Sequence, residues 1–341
     1  MSTAAIDRLL AILIVAMAAT GLATLRVGHP SGAWLFVVHG VLAGALAATV
    51  ALKLRRSTPP ALGRRRYARL ALAAVVSGAV IAALTGGWLW VASGELMWID
   101  AGAFGRWTVL TLHAWVGLAL VPLVLLHLLP RRWRLLRPGP AAARRATSRL
   151  VSRRALLAGS LLALAGGAAY VSAATLERLR GGTRRFTGSR WLPPGGMPPA
   201  TTFFGEPPPA IDLAAWRLRV HGRVARPARL TLDELRVLGH EDSTAVLDCT
   251  SGWALETAWT GVPLAALLDA SGIAADAREV SVRSATGWST VLPVDEARRT
   301  LLAWSVAGAP LPVGNGAPLR LVVPDRRGLD WVKWVTEVRV S

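Results

Sequence analysis

Five apolar runs, residues 9–25, 33–54, 70–92, 108–129 and 155–174, fill most of the first half of the chain. Each approaches or exceeds the ~20 residues that cross a hydrocarbon core. Together they force a choice between a lipid environment and an impossibly large buried core. Composition agrees with lipid: 53% of residues are hydrophobic, 17% are charged, and the mean hydropathy is +0.43. The loops between the runs alternate in charge. Residues 53–69 carry seven basic side chains and residues 130–154 carry nine, whereas the other two loops carry one each, Arg26 and Arg106. The positive-inside rule places the two basic loops in the cytoplasm. The N-terminus is then cytoplasmic, and everything after the fifth run lies outside. Trp34, Trp88, Trp90 and Trp107 fall at the outer ends of the runs, as an interfacial aromatic belt does.

The net charge of +19 raises the question of nucleic acid, and its distribution answers it. Residues 1–174 hold 19 Lys and Arg against only Asp7, Glu95 and Asp100, while the remainder carries a net of only +3. The charge belongs to the membrane loops, so no nucleic-acid partner is expected.

Residues 176–210 are rich in Gly, Pro and Arg and read as an irregular arm. Beyond them the patterns shorten. Strands are expected at 216–220, 246–248, 280–284, 289–292 and 319–323, and helices at 230–238 after a Thr231 cap, 263–270 and 294–301. Short strands mixed irregularly with short helices predict an α+β domain. The predicted organisation is a four-helix membrane domain over 1–135, a basic loop and fifth transmembrane helix over 136–175, the arm over 176–210, and the α+β domain over 211–341. Before the fifth run stands Ser152-Arg153-Arg154-Ala155-Leu156-Leu157, which resembles a twin-arginine export signal and equally ends a positive-inside loop.

Three of the six histidines, His39, His113 and His127, lie inside apolar runs, where ionisable residues are functional candidates. His39 is six residues into the second run and His113 five into the fourth, both counted from the outer side. At ~1.5 Å per residue their depths agree within a couple of ångströms, so their imidazoles can face one haem iron from both sides. His127 follows His113 by 14 residues, near four full turns, which puts both on one helix face roughly 21 Å apart. The stretch Leu112-His113-Ala114-Trp115-Val116-Gly117, with Leu126-His127-Leu128, resembles the two-histidine helix of dihaem cytochrome b561-type subunits. That resemblance covers residues 5–130. It implies a b haem on His39 and His113 and a second on His127 with a histidine of the first helix. The first helix has none, so His127 stands open between a second haem, a quinone site and no electronic role.

Cys249 is the only cysteine of 341 residues, on the part of the chain expected outside the cytoplasm. Extracytoplasmic domains use cysteines in pairs. A lone one is a buried small hydrophobe or a thiolate kept for chemistry. Its surroundings resemble the sulfite-oxidase-like molybdopterin family over residues 186–341, closest to the periplasmic methionine sulfoxide reductase catalytic type that pairs with a haem-containing membrane subunit. The matching blocks are Arg219-Val220-His221-Gly222-Arg223-Val224, Cys249-Thr250-Ser251-Gly252-Trp253 and Trp259-Thr260-Gly261-Val262-Pro263-Leu264. They continue with Asn315-Gly316-Ala317-Pro318-Leu319-Arg320 and Trp331-Val332-Lys333-Trp334.

The resemblance implies a molybdenum ion held by Cys249 and by two sulfurs of a molybdopterin. Arg320 and Lys333 would bind the cofactor's phosphate and pterin. Trp331, Val332, Ser284, Asn315, Thr202 and Phe203 would add further contacts; an ordinary strand-end hydroxyl at Ser284 and a turn cap at Asn315 are the alternatives. Thr286 and Trp288 depart from the family's frequent Asp and Tyr. The expected protein lacks the immunoglobulin-like dimerisation domain of true sulfite oxidases. The implied function is a membrane-anchored enzyme that exchanges electrons with the quinone pool through b haem and an oxygen atom with a small S- or N-oxide, or with sulfite. The alternative is a non-catalytic, membrane-tethered binding module that retains the fold; intact Cys249, Arg320 and Lys333 speak against it.

Overall fold

Long stretches of Ala, Leu and Val with no acidic residue in their first turns form five helices in the computed structural model. They are α1 (Thr3–Thr24), α2 (Ala33–Gly63), α3 (Tyr67–Ser93), α4 (Val109–Leu128) and α5 (Arg153–Leu179). The structure describes residues 3–63, 67–100, 102, 106–128, 153–202 and 205–341. The five helices coincide with the five predicted runs; α3, α4 and α5 match their ends within five residues, whereas α1 begins six residues before its run and α2 continues nine residues past its own. The double-arginine motif lies at the edge of the described residues and its side chains outside them. Within the described residues, α1, α2, α3 and α5 contain stretches long and apolar enough to cross a membrane, and α4 contributes the shorter apolar stretch Val109–Val124.

The chain divides into two units: Met1–Thr24, Ser31–Ile99 and Thr108–Gly188 form the first, and Leu25–Pro30, Asp100–Trp107 and Ser189–Ser341 the second. In the first unit Leu13, Ala45, Leu46 and Val80 pack together at the centre. Ile12, Val15, Leu161 and Leu164 are instead more than half exposed, an arrangement that suits lipid better than water. Helices α2 and α5 meet through glycine. A Cβ on Gly44 would lie 2.3 Å from the Gly166 Cα, and one on Gly166 would lie 2.1 Å from the Val41 carbonyl oxygen. Small residues at such a crossing let helix backbones approach closely. An ion pair between Asp7 and Lys53 joins α1 to α2.

The predicted arm is more ordered than its composition suggests. Helix α5 runs five residues past its expected end, to Leu179. Arg180 then donates to the Ala92 carbonyl at 2.7 Å, and the Trp90 indole donates to the Gly188 carbonyl at 2.9 Å. Arg190–Trp191 forms a short strand. Gly and Pro signal an irregular path, but side-chain bonds to distant elements fix that path, and these carry no local signature.

The α3–α4 loop holds two three-residue strands, β1 (Trp98–Asp100) and β2 (Arg106–Thr108). The second unit then runs β3 (Arg190–Trp191), β4 (Leu218–Gly222), β5 (Ala228–Leu230), α6 (Leu232–Leu238), β6 (Glu241–Asp248), β7 (Trp253–Pro263) and α7 (Leu264–Ser271). It continues with β8 (Glu279–Ser284), β9 (Ser289–Pro293), α8 (Val294–Ala297), β10 (Leu301–Val306), β11 (Ala309–Pro310), β12 (Arg320–Val322) and β13 (Val335–Val340). One sheet has the order β11-β10-β7-β3, with β6 on β7 and β12 on β10; the other has the order β5-β4-β13-β8-β9.

Helix α6 starts as read, at a capping box in which Thr231 Oγ1 accepts from Glu234 N and the Glu234 carboxylate accepts from Thr231 N. The helix expected over 294–301 stops at Ala297. Thr300 Oγ1 donates to the Ala297 carbonyl and closes the turn, and 301–306 becomes β10, flanked by β7 and β12. Buried on both faces, such a strand shows no alternation to separate it from a helix. Strands β7 and β13 were also missed.

Candidate functional site

Cys249 sits at the corner of the β6–β7 hairpin. Asp248 pairs with Ala254, the Cys249 amide donates to the Trp253 carbonyl at 2.8 Å, and Gly252 N donates to the Cys249 carbonyl at 2.9 Å. Gly252 closes this turn with φ +93°, a backbone conformation that favours glycine. The turn leaves the thiol half-buried rather than enclosed in the core. The Ser251 amide donates to the sulfur at 3.4 Å, and the Thr201 hydroxyl lies within hydrogen-bond reach of it, also at 3.4 Å.

A buried network holds the turn in place. Asp248 is fully buried and accepts from Ser189 Oγ at 2.6 Å. Buried Arg327 lies 3.5 Å from the same carboxylate and donates to the Cys249 carbonyl at 3.1 Å. Gly328 N donates to the Asp248 carbonyl, and a Cβ on Gly328 would press to 3.2 Å from the Cys249 Cα. Asp248→Ala strands the Arg327 charge in the core and is expected to destabilise the chain by ~3–5 kcal/mol. Denaturant unfolding of the full chain measures this. Asp248→Asn keeps an acceptor for Ser189 and should cost less.

The sulfur faces a cavity of about 80 Å³. Of the residues expected at the site, Thr202, Cys249, Ser284, Arg320, Trp331, Val332 and Lys333 all line it. Asn315 does not. It is buried, and its Nδ2 donates to the Pro198 carbonyl at 2.8 Å, while its own carbonyl accepts from Arg320 Nη1. It therefore positions the arm and Arg320, close to the turn-cap alternative. Phe203 lies outside the described residues. Sequence reasoning missed Thr201, Glu206, Trp288 and Leu329, which also line the cavity, and Arg327 behind Cys249.

The electrostatics are unusual for a protein core. Arg320, on β12, is buried between the Trp259 and Trp331 rings, its guanidinium carbon 5.4 and 5.9 Å from their centroids. Its Nε has no hydrogen-bond partner among the described residues. Lys333 Nζ donates to the Thr201 and Gly314 carbonyls at 2.9 and 2.6 Å. Burial, against an opposing pull from Cys249, draws the Arg320 pKa down to about 10. Burial and the nearby Arg320 charge together draw Lys333 down to about 7, against opposing pulls from Cys249 and Glu206. A buried guanidinium, a half-buried ammonium and a thiol around one cavity fit an anionic, phosphate-bearing ligand with a soft metal ion, the donor set a molybdopterin needs.

The Lys333 shift has a consequence for stability. Below about pH 7 the folded and unfolded chains both hold the proton, and the folded state bears the full cost of the buried cation. Between about 7 and the ordinary value of 10.5 only the unfolded chain holds it, so stability rises with pH across that window. The cofactor-free chain should therefore melt at a higher temperature at pH 9 than at pH 7, and Lys333→Met should remove that gain.

In the first unit, His39 and His113 face each other with ring centroids 6.2 Å apart and planes at 88°. Imidazole nitrogens about 2.0–2.1 Å from one metal ion put two opposed ring centroids roughly 6.3 Å apart, so the separation fits an ion between them. The Nδ1 atoms are already engaged, with Thr20 Oγ1 at 2.8 Å for His39 and with the Ala83 carbonyl at 2.7 Å for His113. Those bonds leave Nε2 of each ring for a metal. Both rings line an apolar cavity of about 380 Å³ between α2, α3, α4 and α5. His127 belongs to α4, and its side chain is outside the described residues. No group of three or more His, Cys, Asp or Glu gathers among the described residues. Neither a thiolate–dithiolene site nor a two-imidazole site requires one.

Residues 205–341 match the family model for the oxidoreductase molybdopterin binding domain. The chain is 31% identical over 222 residues to the catalytic subunit MsrP of the protein-methionine-sulfoxide reductase of Gluconobacter oxydans, covering 56% of this chain and 69% of that protein. The chain belongs to the molybdopterin-binding oxidoreductases. The corresponding subunit of Xanthomonas axonopodis pv. citri is 35% identical over 147 residues, 38% of this chain and 46% of that protein. A putative protein-methionine-sulfoxide reductase subunit of Azospira oryzae, YedZ1, is 32% identical over 133 residues, 38% of this chain and 51% of that protein. The chain thus spans about half the length of these last two relatives. Within this oxidoreductase the family match contains Cys249, Arg320 and Lys333, the residues that the cavity brings together.

Proposed function

We propose that this chain is a membrane-anchored, molybdenum-dependent oxidoreductase that removes an oxygen atom from a small S-oxide or N-oxide outside the cytoplasm. Electrons would come from the quinol pool by way of a b-type haem. The observation that carries the reading is the single cavity shared by the Cys249 thiol, Arg320 and Lys333. The relatives named as methionine sulfoxide reductase subunits favour a sulfoxide over an N-oxide. Likeness to both a catalytic subunit and a protein named as another subunit suits a chain that carries both functions.

The cofactor, when bound, supplies two-electron oxygen-atom exchange. Cys249 would hold the metal through a thiolate that the Ser251 amide and the Thr201 hydroxyl stabilise. Arg320 and Lys333 would hold the phosphate and pterin, and the anion would offset the cost of burying both cations. Release of the oxygen atom as water takes up two protons. Glu206 is the one carboxylate among the cavity-lining residues, and it can carry one of them. Sulfite oxidation is the same exchange run backwards.

The test is a dye-linked assay on the purified full chain. Reduced viologen should be oxidised when methionine sulfoxide or an N-oxide is added. Failure with every oxide, together with failure to oxidise sulfite with an acceptor, would overturn the reading. For the topology, a reporter fused after Ser341 should be active only outside the cytoplasm. Arg153→Lys with Arg154→Lys should block that export if the pair acts as a twin-arginine signal; cytoplasmic activity in the wild type would reverse the orientation.

A further inference from the structure

The cavity beside His39 and His113 has one charged lining residue, and no helix supplies it. Arg184 comes from the segment after the C-terminal end of α5, as do Thr187 and Gly188, which line the cavity with it. The rest of the lining is apolar or small apart from the two histidines, Thr85 and Tyr170. Such a cavity takes a ligand that is flat and apolar over most of its surface and anionic at one edge. Arg184 Nε pairs with the buried Glu177 carboxylate, and two residues on, Phe186 packs edge-on against Phe36 of α2 at 6.0 Å and ties the segment to that helix. With only Nε engaged among the described residues, both terminal nitrogens remain as donors, and a guanidinium presents them as a fork matched to a carboxylate.

We propose that Arg184 binds a carboxylate of the haem held by His39 and His113, and that Glu177 orients the guanidinium for it. This rests on the haem reading given above and extends it to the segment after α5, which thereby becomes part of the haem pocket. His39 lies about 9 Å along α2 from the helix start, at ~1.5 Å per residue. The segment after α5 joins the outer helix ends, through Trp90 to Gly188 and Ala92 to Arg180, so it stands on the outer side of the iron position.

The test uses the full chain, stripped of haem and titrated with haem or with haem dimethyl ester, which lacks free carboxylates. Wild type should bind haem about tenfold more tightly than the ester, the size expected from one charge-assisted hydrogen-bonded pair. Arg184→Gln should bind the two equally, and Arg184→Lys should keep part of the preference. In the reconstituted protein, Arg184→Gln should lower the haem midpoint potential, because a cation that disfavours the oxidised iron is gone. Glu177→Gln should raise it. Equal binding of haem and ester by wild type would overturn the role of Arg184 even if Arg184→Gln fails to fold. In that case low-spin bands that depend on His39 would leave the haem reading standing; their absence from wild type would overturn both.

Discussion

Cys249→Ser is expected to reduce oxygen-atom transfer, measured with a dye donor, to background, while the fold and the bound pterin survive. Serine offers a hard hydroxyl that stays protonated near neutral pH, where the metal requires a soft thiolate. The substitution is nearly isosteric, and the chain has no second cysteine with which Cys249 could form a disulfide. The backbone bonds that make the turn, from the Cys249 amide to the Trp253 carbonyl and from Gly252 N to the Cys249 carbonyl, do not involve the sulfur. Buried Arg320 and half-buried Lys333 lie on other segments and can hold the pterin without it. The two effects separate cleanly: pterin fluorescence retained, turnover lost. Full dye-linked activity in the serine variant would remove Cys249 from the metal.

The second large effect divides the enzyme in two. His39→Ala or His113→Ala should eliminate the low-spin haem bands and abolish quinol-linked turnover, yet leave dye-linked turnover close to wild type. Each imidazole has its Nδ1 committed, to Thr20 or to the Ala83 carbonyl, so each has one nitrogen left for the iron of the proposed haem. Loss of either would leave that iron with one protein ligand and a high-spin spectrum. Reduced-minus-oxidised spectra of purified variants decide this. Bands that survive both substitutions would place the haem elsewhere in the bundle.

What the sequence revealed, and what it hid, follows from how far each interaction reaches along the chain. The five helices were legible because each is built on a long uninterrupted apolar run, although α1 and α2 extend six and nine residues beyond theirs. Cys249, Arg320 and Lys333 were legible because they stand in blocks whose local text is distinctive. The facing of His39 and His113 followed from counting residues inward from two helix ends, a one-dimensional measure that survives folding. The brace behind Cys249 was not legible: Asp248, Ser189 and Arg327 meet from three remote segments, and nothing around Ser189 or Arg327 singles them out. Asn315 shows the opposite error. It belongs to a distinctive block, but its side chain turns to the Pro198 carbonyl instead of the cavity. Arg184 sat in a segment dismissed for its Gly and Pro content, where only the cavity beside it reveals a use.

The central claim is that Cys249 ligates molybdenum in the cavity flanked by Arg320 and Lys333. Molybdenum X-ray absorption on the purified full chain tests it most directly. The account predicts one molybdenum per chain with three sulfur neighbours in the wild type and two in Cys249→Ser. A chain purified without molybdenum, or a sulfur shell unchanged by the substitution, would contradict it.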